Sequence, residues 1–228
     1  MIRMTMGLLA VVTWAGAATA GEFGDYWYRG LAELTSYDLS QARYGEAHPG
    51  HAVLIFVTED FSRSRQVKLD APGAAGPDSV KVLKLNLTKK FDTGIYPYSM
   101  MSSVFTPVDG AKTLKITTSS QEWCGHTFSQ LNLGDNGYRA RLLSYFESEG
   151  DGDLTLENAS AEDEIWNRIR LAPDALPLGE LRLIPVPGGV PSRDRGLGGN
   201  LLVRGRTVDD TRRTEEATDT RLLAASRP

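Results

Sequence analysis

The sequence predicts a mainly β protein: an antiparallel meander forming a barrel or half-barrel, with one C-terminal helix and a disordered tail. Three observations carry this reading. Apolar and polar residues alternate with the period of a strand: Leu83, Leu85 and Leu87 oppose Lys84 and Asn86, and Leu114, Ile116 and Thr118 oppose Lys115 and Thr117. Farther on, Tyr138, Ala140, Leu142, Ser144 and Phe146 oppose Arg139 and Arg141. Hairpin-type turns separate these runs, at Asp109-Gly110 and at Gly134-Asp135-Asn136-Gly137. Only one stretch, Ser160–Arg170, has a helical apolar period with matching charges. Sequential strands of this kind give an up-and-down sheet, which must close or cover its edges.

The N-terminus reads as an export leader. Met1–Met6 carries one cation, Arg3, and no acid; Gly7–Ala17 is apolar; Ala18-Thr19-Ala20 has the small-x-small pattern of a cleavage site. Residues 1–20 are therefore expected to be removed, leaving a chain that starts at Gly21. The apolar run is shorter than the roughly 20 residues a membrane-spanning helix needs. No cysteine lies near the cleavage point, which excludes the usual lipid anchor.

Leu31–Arg43, with its Thr, Ser and Tyr content, reads as extended, and His48-Pro49-Gly50 as a turn. Ala52–Val57 is a continuous β-branched and apolar run, suited to a strand buried on both faces. Asp70–Pro77 is a loop and Val80–Leu87 a strand; Phe91–Gly94 turns into an extended Ile95–Phe105, broken by Pro97. Val108–Lys112 turns; Trp123–Leu133 and Tyr138–Phe146 are the next strands, followed by an acidic loop at Glu149–Asp153. In Ser160–Arg170, Ser160 is placed to cap the helix. Glu162, Asp163 and Glu164 sit in its first turn, Arg168 and Arg170 near its end, and Ile165, Trp166 and Ile169 form the apolar face. Pro173 stops it, and Leu178–Val186 reads as one more strand.

The composition changes at residue 188. Residues 188–228 hold no aromatic residue and no Lys, and Arg, Gly, Asp and Thr dominate. Such a segment is expected to be disordered, or to be an out-of-frame translation of a GC-rich gene. In the second case the natural protein continues with strands that close the barrel, and one of the other two reading frames past residue 187 is expected to show extended alternation. The organisation expected is a leader (1–20), a β-rich domain (21–187) and a tail (188–228). A formal charge of −4 over 228 residues argues against nucleic acid as a partner. The single cysteine excludes an internal disulfide framework.

Five stretches resemble an uncharacterised family of exported bacterial proteins. They are SYDLSQARYGE (36–46), AVLIFVTEDF (52–61), KLNLTKKFDTGIYPYSMMSS (84–103), SSQEWCGHTFSQLN (119–132) and EDEIWNRIR (162–170). The resemblance spans residues 23–187. Members are sometimes labelled septum formation inhibitor Maf. Maf proteins proper are cytoplasmic nucleotide pyrophosphatases with an N-terminal Ser-x-Ser-Pro-Arg-type motif, which this chain lacks. The resemblance implies an envelope protein without an assigned activity, carries over no catalytic residue, and implies strand-like sequence beyond Pro187.

Chemistry, where there is any, is expected in two places. On a strand over Trp123–Leu133, Glu122, Cys124, His126 and Phe128 fall on one face, with Cys124 and His126 about 7 Å apart at Cα. A His beside a thiol lowers its pKa and can make a nucleophile. Trp123-Cys124-Gly125 echoes a thioredoxin-type site, but His126 stands where the second Cys belongs, which removes dithiol chemistry. The bland reading is a packed strand with a buried structural Cys. Tyr96, Tyr98, Met100, Met101 and Phe105 form an aromatic and Met stretch that in a half-barrel could line a cavity for an acyl chain; the alternative is ordinary core. His48 and His51 with Glu46 or His126 lack the spacing of a metal site, so no metal and no cofactor is expected. Lys84, Lys89 and Lys90, with Arg63, Arg65 and Lys68, read as solvated faces, and Asn86-Leu87-Thr88 as a chance sequon.

The expectation is a periplasmic or secreted binding module for a lipid or another apolar or amphipathic envelope component. It has no nucleic-acid partner and no transmembrane segment. Two alternatives remain open: a thiol-dependent hydrolase or transferase using Cys124 and His126, and a structural partner of other envelope proteins.

Overall fold

The computed structural model describes residues 20–147, 149–157, 159–176, 179–184, 199–203 and 222–224. The chain forms two compact units, residues 1–31 and 32–228. In the first, α1 (Ala20–Trp27) carries an aromatic cluster. Phe23 packs against Trp27 and Tyr28, and the Arg29 guanidinium lies 4.9 Å from the Tyr26 ring centroid. The expected leader, apart from Ala20, lies outside the described residues.

The second unit is the meander. Its strands are β1 (Glu33–Arg43), β2 (Glu46–Ser62), β3 (Val67–Lys68), β4 (Ser79–Thr93), β5 (Tyr96–Pro107), β6 (Lys115–Gln121), β7 (His126–Gly134), β8 (Gly137–Ser144) and β9 (Gly152–Leu156). Each of β4 to β9 pairs antiparallel with its predecessor in the path β1-β2-β4-β5-β6-β7-β8-β9, and β3 pairs with β2. A further short strand, β13 (Leu222–Ala224), lies parallel to β1. Among the described residues β9 pairs only with β8, so the sheet is open, a half-barrel. A second sheet joins β10 (Ser160–Ala161), β11 (Gly179–Ile184) and β12 (Gly199–Val203). β12 and β13 fall within the compositional tail. The rest of that tail lies outside the described residues, and with it most of the expectation of disorder.

The alternation read from the sequence sorts residues onto two faces. One register row runs Phe56, Leu85, Val104, Ile116, Leu131, Ala140, Leu154 across seven strands, and six of the seven are buried. Leu54 and Leu87 begin the next row, which continues through Ser102, Thr118 and Ser129. Ser102 and Thr118 satisfy one another at 3.1 Å, as a buried hydroxyl pair must. Each fully buried Leu or Phe here contributes about 1.5–3 kcal/mol.

The helix covers this inner face, and its start differs from expectation. Ser160 is in β10, Glu162–Glu164 forms a 3-10 turn, and α2 spans only Ile165–Leu171 with no side-chain cap. The strand pairing of Ser160 and Ala161 with Leu183 and Ile184 takes the backbone that a cap would need. Asn167, fully buried, donates to Leu83 O at 3.0 Å and Thr106 Oγ1 at 2.9 Å. Arg170 pairs with Glu33 of β1 and sits 3.5 Å from the Phe56 ring centroid.

Four local readings are corrected. His48-Pro49-Gly50 lies inside β2; the turn is Tyr44-Gly45, whose residues have φ of 53° and 82°. Pro49 instead marks where the β2–β4 ladder stops, at Gly50–Phe91, consistent with its missing N–H. Phe91 belongs to β4, and Gly94-Ile95 turns the chain. Pro97 does not break β5; it pairs with Asp92 near the strand's start. The acidic loop predicted at Glu149–Asp153 runs into β9, which starts at Gly152.

Candidate functional site

In a meander, alternate hairpins fall at the same end of the sheet. The β1–β2, β4–β5, β6–β7 and β8–β9 connections therefore lie together. Their closing pairs are Arg43–Glu46, Thr93–Tyr96, Gln121–His126 and Leu142–Gly152. Each exposes a large apolar or aromatic side chain at its tip: Tyr44 (74% exposed), Ile95 (86%), Trp123 (65%) and Tyr145 (69%). Adjacent strands are about 4.8 Å apart, so successive tips stand about 10 Å apart along the edge. Among the described residues, the opposite turns at 63–66, 109–112 and 135–136 expose no large apolar side chain.

Behind the tips an aromatic chain runs inward. Trp123 is 5.3 Å from Tyr96, Tyr96 is 6.0 Å from Tyr98, and Tyr98 stacks on Phe91 at 4.7 Å. The Tyr44 and Tyr98 hydroxyls hydrogen-bond at 3.0 Å, although their strands are not neighbours in the sheet. The β1–β2 hairpin tip thus curls over the inner face. The Arg43 guanidinium completes the contact, 4.9 Å from the Tyr44 ring and 5.2 Å from the Tyr98 ring. Its buried Nε has no hydrogen-bond partner among the described residues, so the two rings are the main company of that edge of the cation. Tyr98 is buried. Burial first, then Tyr44 and the Glu122 carboxylate, push its hydroxyl well above the ordinary tyrosine range, against the pull of Arg43.

Cys124 differs from expectation. The segment Glu122–Gly125 is the β6–β7 turn, closed by Glu122 N–H donating to Gly125 O, and β7 begins only at His126. Gly125 leaves room for the neighbouring tip: a Cβ at that position would collide with the Tyr145 ring. Cys124 is consequently exposed at a tip rather than buried on a strand. The described contact of its thiol is the Tyr96 hydroxyl. That hydrogen bond, then burial and the nearby Cys124 and Glu122 charges, push Tyr96 up to about 12. Tyr96 is therefore protonated at neutral pH and cannot take the thiol proton. His126, by alternation, shares the outer face with Phe128 and Gln130, and no Cys124–His126 hydrogen bond occurs among the described residues.

The aromatic and Met stretch divides for the same reason. Tyr96, Tyr98 and Met100 point to the inner face, and Met101 and Phe105 to the outer one. Phe105 stacks on Phe61 at 4.8 Å within an outer-face cluster that includes Val82 and Leu114. Met101 is exposed in a register row with Ser119, Phe128 and Leu143. Only Tyr96 and Tyr98 of the five join Glu122 and Cys124 in the tip cluster. His48 and His51 also lie on opposite faces of β2. His48 bonds Arg43 O at 3.1 Å, His51 approaches Asp38, and no group of three or more His, Cys, Asp or Glu comes together among the described residues.

Sequence reasoning missed Arg43, Tyr44, Ile95 and Tyr145. A signal existed: Tyr44, Ile95 and Trp123 stand at or near a turn glycine, where polar residues are the rule. Among the described residues no helix is long and apolar enough to cross a membrane. The chain matches no protein-family model, no curated protein and no solved structure in the comparisons made.

Proposed function

We propose that this chain is an exported binding module for an amphipathic, lipid-like envelope component, engaged through the aromatic rim of the half-barrel. The observation that carries the reading is the asymmetry of the sheet. Tyr44, Ile95, Trp123 and Tyr145 are exposed at one end, and among the described residues no comparable side chain is exposed at the turns of the other. Single exposed apolar residues are ordinary, but several gathered along one edge support an interaction site there. Tyr and Trp suit the boundary between apolar and aqueous phases, since each joins an apolar body to a polar tip. The rim carries Glu46, Asp92, Glu122 and Glu147 against Arg43, a balance that favours neutral or zwitterionic partners over anionic ones. Export is supported by the leader pattern at residues 1–20 and by the family resemblance of residues 23–187.

The test uses phosphatidylcholine vesicles and the full chain. Binding is expected to shift the emission of Trp123 to the blue, and Trp123→Ala is expected to weaken binding about tenfold or more, from the loss of a buried aromatic. Native mass spectrometry of protein exported and purified without detergent is expected to show a mass excess that extracts as lipid. A clean apo mass, together with vesicle affinity unchanged in Trp123→Ala, would remove the basis of the proposal.

A further inference from the structure

We infer that the opposite end of the sheet holds a second binding site, for a phosphate-type anion, between the loop after β2 and the β7–β8 hairpin. A cleft of about 530 Å3 lies there, with Ser64, Arg65 and Gln66 on one side and Asn132, Arg139 and Thr155 on the other. It shares Asn132 and Arg139 with an adjoining cavity of about 240 Å3, which adds Gln130, Arg141 and Asp153. The combined groove is of the size that small ligands occupy.

The groove is built rather than incidental. Gln66 holds the left-handed region at φ 54°, a conformation that is strained for a non-glycine residue. It persists because the side chain is committed. Its Nε2 donates to Leu133 O at 2.7 Å, and its Oε1 accepts from Asn132 Nδ2 at 2.7 Å. Asn132 Oδ1 in turn accepts from Gln130 Nε2 at 2.6 Å, and Lys115 Nζ donates to the Gln66 carbonyl at 3.4 Å. Gln66 is only 8% exposed. This ladder of amides ties the Arg65 loop to β7 and so sets its position against the β7–β8 hairpin.

The charges select the ligand. Arg65, Arg139 and Arg141 line the two cavities against Asp135 and Asp153. Arg141 is paired with Asp153 at 3.0 Å, whereas Arg139 has no ion-pair or hydrogen-bond partner among the described residues. Lys115 adds a fourth cation beside the amide ladder. Guanidinium forks match phosphate oxygens bidentately, and Arg65 and Arg139 face the cleft from its two sides. No exposed aromatic side chain lines the cleft, so it suits a charged polar group rather than an acyl chain. This site lies across the sheet from the aromatic rim and does not depend on it.

The experiment titrates the full chain by calorimetry with inorganic phosphate and with glycerol 1-phosphate. In parallel it measures binding to phosphatidylcholine vesicles with and without phosphatidylglycerol. Saturable binding of the free anions, weakening as NaCl is raised, assigns the site to a soluble phosphate or phosphomonoester. Extra binding to the phosphatidylglycerol vesicles alone assigns it to a lipid headgroup. In either case Arg65→Gln/Arg139→Gln is expected to lower the affinity at least tenfold, and Tyr44→Asn to leave the anion-dependent component unchanged. Should the double variant fold poorly, Arg139→Lys keeps the charge, loses the fork, and is expected to weaken binding severalfold. Failure of every probe to bind, or anion binding that the arginine variants leave unaltered, overturns the inference.

Discussion

Tyr44→Asn separates what the rim does for stability from what it does for binding. Tyr44 and Gly45 close the β1–β2 hairpin with φ of 53° and 82°, the signature of a type I′ turn. Asn-Gly is the preferred pair for that turn, and Asn tolerates left-handed backbone where Tyr does not. The substitution is therefore expected to recover about 1 kcal/mol of backbone strain. Against this stand the Tyr44–Tyr98 hydroxyl bond, worth about 1 kcal/mol, and the Arg43–Tyr44 contact, worth about 0.5 kcal/mol near the surface. The terms nearly cancel, so the variant should lie within about 1 kcal/mol of the parent in urea unfolding. Tyr44→Phe keeps the strain, loses the hydroxyl bond, and should be the less stable of the two. Affinity for phosphatidylcholine vesicles should fall about tenfold in Tyr44→Asn and less in Tyr44→Phe, which retains the apolar ring. A Tyr44→Asn protein destabilised by more than about 2 kcal/mol, with vesicle binding intact, would show that the strained tyrosine serves the fold alone.

Alkaline titration followed by tyrosinate absorbance should show Tyr96 ionising late, near pH 12, because its hydrogen bond to Cys124 favours the protonated phenol. Its raised folded pKa means that the associated stability is present below about pH 10 and is lost as pH rises through about 12. Cys124→Ala removes the first cause and should move this ionisation back toward 10; an unmoved midpoint refutes the assignment. Iodoacetamide should alkylate exposed Cys124 in the folded protein, as mass spectrometry would show, and a thiol protected until denaturant is added contradicts its placement at the β6–β7 turn. Asn167→Ala severs the helix's hydrogen bonds to Leu83 O and Thr106 Oγ1 at a fully buried position. It should cost about 2–4 kcal/mol in urea unfolding, and a loss below about 1 kcal/mol would mean that α2 is held mainly by Arg170 and its contacts.

How much was legible in the chain depended on the range of the interaction responsible. The alternation at Leu83, Leu85 and Leu87 is a local consequence of the pleat, and it located β4 and its buried face correctly. Gly134–Gly137 closed the β7–β8 hairpin where the turn residues placed it. The mainly β class and the sequential antiparallel order followed from such local signals. Turns whose chemistry is atypical were not legible: Tyr44 occupies a position that favours Asn, and Trp123-Cys124-Gly125 looks like strand until Tyr145 is seen to need Gly125 bare. Nor was the split of Tyr98 from Met101, although alternation alone implies it, because treating the stretch as one patch overrode the period. The β-rich class, the strand order and the face of each strand residue are written in the sequence, since they depend on neighbours two to four positions away. The curl that brings Tyr44 to Tyr98 and the docking of Gln66 on β7 depend on contacts 54 to 67 residues apart. Only the packed sheet, whose twist and edge pairing set those distances, could decide them.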